Sequence, residues 1–137
     1  MNNLFLTNSL TRKKEIFKPI NPEKISLYAC GPTVYDKPHV GNARALVVFD
    51  LLFEVLKEIY GKTKVTYIRN ITDIDDKIIE TSKKRGISIS ELTNEITKEF
   101  HSNCVSLFCS KPSLEPKATE HVKDCLLYTS DAADDVI

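Results

Sequence analysis

The chain has 137 residues, 42% of them hydrophobic, enough for one domain with a core and no more than one. Nineteen Lys and Arg balance nineteen Asp and Glu to a formal charge of zero, so no overall field draws the chain to nucleic acid or an anionic membrane, and any RNA contact must be local. The first residues lack a signal-peptide core with a small-residue cleavage site, and no apolar run approaches the ~20 residues that span a bilayer; the expectation is a cytoplasmic protein with neither membrane nor DNA as partner.

In chain order, Leu4 to Leu6 reads as a short strand, Thr11 to Lys14 as a polar turn, and Ile16 with Phe17 as a second extended piece. After the Asn21-Pro22 turn, Ile25 to Ala29 alternates apolar residues as a strand entering a core does, and Gly31 with Pro32 ends it. His39 to Tyr60 is too long for a strand and lies between Pro38 and Gly61, which predicts a helix. Its apolar residues, among them Leu46, Val47, Leu51, Phe53 and Leu56, cover far more than one stripe, so burial on most sides is expected. Val65 to Arg69 predicts a second strand. In ITDIDDKIIETSKKRG, carboxylates precede Ile78 and Ile79, and Gly86 suits a helix C-cap. Ser88 and Glu91 have capping-box spacing for a further helix over roughly Ser90 to Phe108, with Leu92, Ile96, Phe100 and Leu107 near one face. Pro112 and Pro116 interrupt the chain, and Thr119 is placed to cap a last helix beginning EHVKD. Without an internal repeat, this β-α-β-α order predicts an α/β fold with a parallel sheet whose ligands sit at the carboxyl ends of the strands.

That topology lays the loop from Cys30 to Pro38 over the sheet's carboxyl edge, beside the N-terminus of the His39 helix. Free N–H groups and the positive dipole end suit a phosphate there, and Gly41 lets a base or ribose approach the backbone. His39 and Asn42 share the i, i+3 spacing that turns both side chains to one face of the first turn, where each has a donor for a phosphate whose charge grows in a transition state. Neither G-x-G-x-x-G nor G-x-x-x-x-G-K-[ST] is present, so motif supports neither a dinucleotide fold nor a P-loop NTPase.

Plainer readings suffice elsewhere. Four cysteines at 30, 104, 109 and 125 without a secretory signal say little about disulfides. Cys104 and Cys109 would point about 140° apart on a continuous helix, a poor chelating pair, and read as structural. His101, at i, i+3 to Cys104, and His121 read as packing or surface residues. Asp73, Asp75 and Asp76 read as first-turn charges rather than a magnesium site, and Lys83, Lys84 and Arg85 as a solvated helix end.

YACGPTVYDKPHVGNAR and YIRNITDIDDKII together resemble the amino-terminal part of the cysteinyl-tRNA synthetase family of class I aminoacyl-tRNA synthetases, over roughly Leu4 to Val122. The resemblance implies a partial Rossmann-like, HUP-type nucleotide-binding domain, truncated. HVGN stands at the family's HIGH signature, with Asn42 in place of its second histidine; the amide keeps a donor but supplies no imidazolium charge. It further implies ATP-dependent activation of cysteine and transfer to tRNA(Cys). His39 and Asn42 would act in catalysis; Gly31, His39, Gly41 and Asn42 in binding ATP, with Mg2+; Thr72 in lining the cysteine pocket; and Cys30 as one zinc ligand, the substrate thiolate taking an open position. The family's KMSKS loop, further zinc ligands and anticodon domain have no counterpart in these residues, so the isolated chain is expected to be inactive. Residues 1–124 are expected to be the catalytic-domain portion. The segment CLLYTSDAADD opens a tail, 125–137, that resembles a translated sequencing adapter. Two competing expectations are a ligase joining cysteine to a small amine acceptor and a non-catalytic nucleotide-binding module derived from a synthetase.

Overall fold

The computed structural model describes residues 4–124, 126 and 127, so the expectation for the 125–137 tail lies outside the described residues apart from Leu126 and Leu127. Strands β1 (Phe5–Asn8) and β2 (Lys13–Ile16) form an antiparallel hairpin with Phe5 opposite Ile16. The second strand therefore starts in Lys13 and Lys14, expected to be turn, because ladder pairing uses the main chain and does not require apolar side chains. Strands β3 (Ile25–Ala29) and β4 (Val65–Arg69) are parallel, in register from Ile25 opposite Val65 to Ala29 opposite Arg69. Helix α1 (Val40–Tyr60) supplies the crossover that a parallel pair needs. Ile25, Ala29, Val65 and Tyr67 pack with Phe53 and Leu56 of α1 in one core.

The far edge of β4 is lined by the segment around the two prolines. Ser113 N–H donates to the Tyr67 carbonyl at 2.8 Å, Arg69 N–H to the Leu114 carbonyl at 3.1 Å, and Ile71 N–H to the Pro116 carbonyl at 2.9 Å. Pro112 and Pro116 thus do more than interrupt the chain: the segment runs parallel to β4 as a third line of backbone bonds. Pro116 is tolerated because it contributes only its carbonyl.

Helix α2 (Asp76–Arg85) starts at Asp75, whose carboxylate accepts the Lys77 N–H at 2.9 Å, and stops at Gly86 with φ 65°. Helix α3 (Ile89–Ser106) starts at Ser88, whose hydroxyl accepts the Glu91 N–H at 3.1 Å, one half of the expected capping box. Ile78 of α2, Leu92, Ile96, Phe100 and Cys104 of α3, and Leu46 of α1 close a second core over Val34 and Ile71. The end of α3 differs from expectation. Phe108 takes a left-handed φ of 56°, its N–H bonds to the Val105 carbonyl at 3.0 Å, and the Cys109 N–H bonds to the Cys104 carbonyl at 3.0 Å. This paired 6→1 and 5→2 pattern folds the chain back over the last turn. Cys109 consequently packs against the core that holds Cys104, and the angular separation of a continuous helix does not apply. Burial raises the pKa of both thiols, as fits structural cysteines.

Two further expectations change. Among the described residues α1 is covered on one face only: Leu46, Phe53 and Leu56 are buried, whereas Val48 and Leu51 remain 54% and 64% exposed. Thr119 lies inside a 3-10 turn, Ala118–His121, that leads into helical residues at 122–124, 126 and 127, so the expected last helix is there but Thr119 does not cap it. Its N–H and hydroxyl both donate to the Asp73 carboxylate, at 2.9 and 2.6 Å. Asp73 is therefore a buried clamp between chain segments and not a first-turn charge. No helix among the described residues is long and apolar enough to cross a membrane.

Candidate functional site

The carboxyl ends of β3 and β4 do not separate where the strands stop. Thr33 and Thr72 form a parallel bridge, with the Thr72 N–H on the Pro32 carbonyl at 3.0 Å and the Val34 N–H on the Thr72 carbonyl at 3.1 Å. The loop carrying Cys30 and Gly31 is zipped to the segment carrying Asn70 and Thr72. Gly31 is required by contact: a Cβ there would lie 1.5 Å from the Asn70 carbonyl oxygen. Asn70, which sequence reasoning did not select, joins the two sides. Its Oδ1 accepts the Gly31 N–H at 2.8 Å and its Nδ2 donates to Thr72 Oγ1 at 3.2 Å. The one signal available was its place as the first residue after β4, facing the loop after β3.

At the start of α1, His39 has extended backbone angles, φ −103° and ψ 173°. Its Nδ1 accepts the Gly41 N–H at 3.0 Å, while Asn42 Oδ1 accepts the His39 N–H at 3.0 Å. This reciprocal cap satisfies two donors of the first turn and fixes what the side chains have left. With Nδ1 accepting, the neutral imidazole carries its proton on Nε2. Nε2 of His39 and Nδ2 of Asn42 have no hydrogen-bond partner among the described residues and remain as donors above an exposed helix N-terminus. Gly41 makes the cap possible, since a Cβ there would meet His39 ring atoms at 2.7 and 2.9 Å.

Cys30, Gly31 and Asn42 line one cavity of about 70 Å³ with Tyr67, Arg69 and Phe100. His39 and Asn42 also line a groove of about 280 Å³ with Leu46, Phe100 and Asn103. The structure therefore brings Cys30, Gly31, His39, Gly41 and Asn42 to one edge and ties Thr72 to it through Asn70. The floor is charged and buried. Arg69 is 3% exposed, donates through Nε and Nη2 to Glu115 Oε1 at 3.0 and 2.6 Å, and lies 4.8 Å over the Phe100 ring. Its Nη1 and the Tyr67 hydroxyl are buried with no hydrogen bond that meets ordinary geometry among the described residues. Burial works to lower the Arg69 pKa, but the Glu115 hydrogen bonds and charge outweigh it and the net shift is upward. Burial raises the Tyr67 phenol, with Arg69 opposing. His101 closes the chain, its Nε2 at 2.6 Å from Glu115 Oε2. It is a surface partner of Glu115, as the plain expectation has it.

A zinc site takes about three or four protein ligands. Cys30 is an exposed thiol, and no group of three His, Cys, Asp or Glu is placed to hold a metal among the described residues. One sulfur donor does not make the site. The edge presents the positive end of the α1 dipole with an imidazole N–H and an amide N–H, donors of the kind that suits phosphate oxygens.

Residues 16–134 match the family model described as the tRNA synthetases class I (C) catalytic domain. The chain is 60% identical over 119 residues to the cysteine--tRNA ligase of Pelagibacter ubique (strain HTCC1062), covering 87% of this chain and 26% of that protein. Identity is 54% over 119 residues to the cysteine--tRNA ligase of Rickettsia bellii (strain OSU 85-389), with the same two coverages of 87% and 26%. It is 54% over 123 residues to that of Beijerinckia indica subsp. indica, covering 90% of this chain and 27% of that protein. The chain thus spans about a quarter of the length of these relatives.

Proposed function

The chain belongs to the family of class I (C) tRNA synthetase catalytic domains, and from that membership we propose that the protein carrying it activates cysteine with ATP and passes the cysteinyl group to tRNA(Cys). The observation that carries this reading is the capped start of α1, where two side-chain donors stand free at the carboxyl edge of a parallel pair and Asn42 lines a cavity with Cys30. In the reaction the cysteine carboxylate attacks the α-phosphate and pyrophosphate leaves. Negative charge grows on phosphate oxygens, and the His39 Nε2–H and Asn42 Nδ2–H meet it without reorganising, because their other polar atoms are held in the cap. Asn42 contributes a neutral donor only. Gly31 shapes the edge by letting the loop close on Asn70, Gly41 by making room for the His39 ring, and Thr72 lines the amino-acid side.

The finer parts of this reading are a HUP-type fold, Mg2+ accompanying ATP, a zinc ion with Cys30 as one ligand, and a cytoplasmic location. The zinc ion needs donors beyond the described residues, and no step above passes through it. The test is ATP–pyrophosphate exchange by the protein expressed from the genomic reading frame that contains this chain, with cysteine, serine and valine compared. Exchange that depends on cysteine, followed by charging of tRNA(Cys), is expected. Exchange driven by another amino acid, or ATP binding with no exchange, would overturn the reading.

A further inference from the structure

We propose that Asn70 is a positioning residue that holds the Thr72 hydroxyl without taking its proton, leaving Thr72 a donor toward an acceptor atom of the bound amino acid; this rests on the reading above. The argument starts from Gly31. A backbone N–H can only donate, so the amide atom facing it at 2.8 Å must be Asn70 Oδ1. The other end of the amide, 3.2 Å from Thr72 Oγ1, is then the NH2 group, and the Thr72 oxygen accepts. A hydroxyl has one proton, and here that proton is left over. No hydrogen bond from it is made among the described residues, and Thr72 is only partly buried, so its O–H is left for an occupant of the adjacent space.

The polarity cannot relax by an amide flip. Turning Asn70 over would set NH2 against the Gly31 N–H, two donors face to face. Nor is the loop free to move away, because the Thr33 to Thr72 bridge and its two backbone hydrogen bonds hold the next residues. The consequence is a site that keeps a donor: with Asn70 donating to its oxygen, Thr72 keeps its proton for a carboxylate or thiolate of the bound amino acid.

Asn70→Asp separates polarity from shape. One carboxylate oxygen still accepts the Gly31 N–H, but the other draws the Thr72 proton onto itself, so the same contacts are kept with the hydroxyl reversed. In amino-acid-dependent pyrophosphate exchange by the expressed protein, Asn70→Asp is expected to raise KM for cysteine about tenfold, leaving KM for ATP and the denaturation midpoint near wild type. Thr72→Val should match it, Thr72→Ser should restore wild-type KM, and the double variant should be no worse than Thr72→Val alone. Cysteamine inhibition identifies the acceptor: weakening by Thr72→Val assigns sulfur, no change assigns the carboxylate, and either supports the proposal. Unchanged cysteine KM in Asn70→Asp, or equal rises for ATP and cysteine with lost stability, overturns it. Wild-type protein without cysteine-dependent exchange would instead sink the parent reading. The clamp stays testable in that case through amide exchange at Gly31, expected to be slow in wild type and Asn70→Asp and fast in Asn70→Ala; fast exchange in all three refutes it.

Discussion

Replacing Gly31 by alanine tests whether the two strand ends are held by contact. The added Cβ would stand 1.5 Å from the Asn70 carbonyl oxygen and 2.7 Å from its carbon, whereas real Cβ contacts begin near 3.0 Å. The loop must therefore retreat by roughly 1.5 Å from a backbone that cannot rotate aside. That movement breaks the Gly31 N–H to Asn70 Oδ1 bond and the two bonds between Pro32, Thr72 and Val34. Three hydrogen bonds at about 1 kcal/mol each, with about 1–3 kcal/mol for overpacking, are offset by about 0.4–1 kcal/mol from a stiffer unfolded chain. A net loss of about 3–6 kcal/mol is expected, a large share of the ~5–15 kcal/mol available to a domain. Urea denaturation followed by far-UV circular dichroism measures it. Gly86→Ala is the control: a Cβ there meets nothing within 4 Å, and the cost is the φ of 65° alone, about 1–2 kcal/mol. A Gly31→Ala loss below about 1 kcal/mol, or one smaller than that of Gly86→Ala, would refute the contact argument.

Gly41→Ala should behave in the opposite way. The new methyl pushes the His39 ring off its cap, yet the lost cap and the gained helix propensity are each worth about 1 kcal/mol, so stability holds while pyrophosphate exchange falls as far as in a His39 variant; retained exchange would contradict the cap geometry. Glu115→Ala leaves the Arg69 guanidinium, 4% exposed, without its counter-charge, and a loss of about 3–5 kcal/mol in the same denaturation assay is expected. A loss below about 1 kcal/mol would show that the pair is not buried as described. Glu54 is held below its ordinary value of 4.5 by hydrogen bonds from Lys57 and then Ser110. A lowered folded-state pKa stabilises above the unfolded value and loses that contribution as pH falls through the folded one. Glu54→Gln should therefore shallow the loss of stability below about pH 4.5, by a small amount because the carboxylate is exposed. An unchanged acid limb would show that Glu54 is uninvolved.

Periodicity and punctuation carried much of this architecture. Pro38 and Gly61 bracket α1, Gly86 ends α2, and the alternation in Ile25 to Ala29 marks a strand, because each depends on neighbours in sequence. What escaped depends on distant partners. The segment around Pro116 has no strand composition and joins the sheet only because β4 has an open edge. Phe108 closes α3 in a left-handed conformation that glycine usually takes, so the stop, and the return of Cys109 toward Cys104, carried no signal. The apolar breadth of α1 misled in the other direction, for hydrophobic composition states what a helix can bury and not what lies against it. At the site, spacing placed His39 and Asn42 on one turn, but the reciprocal cap that leaves Nε2 and Nδ2 as the free donors needed coordinates. Asn70 was invisible because its link to Thr72, two residues on, gains meaning only through Gly31, 39 residues away.

The central claim is that the capped start of α1 serves phosphate chemistry. Its most direct test is cysteine-dependent ATP–pyrophosphate exchange by the expressed protein with His39→Ala against wild type, alongside its denaturation midpoint. Loss of one preorganised donor predicts a fall of about 10²–10³-fold in rate, with a stability change no larger than the ~1 kcal/mol of a lost cap. Exchange within about twofold of wild type, corresponding to less than ~0.5 kcal/mol of transition-state stabilisation, would contradict the account.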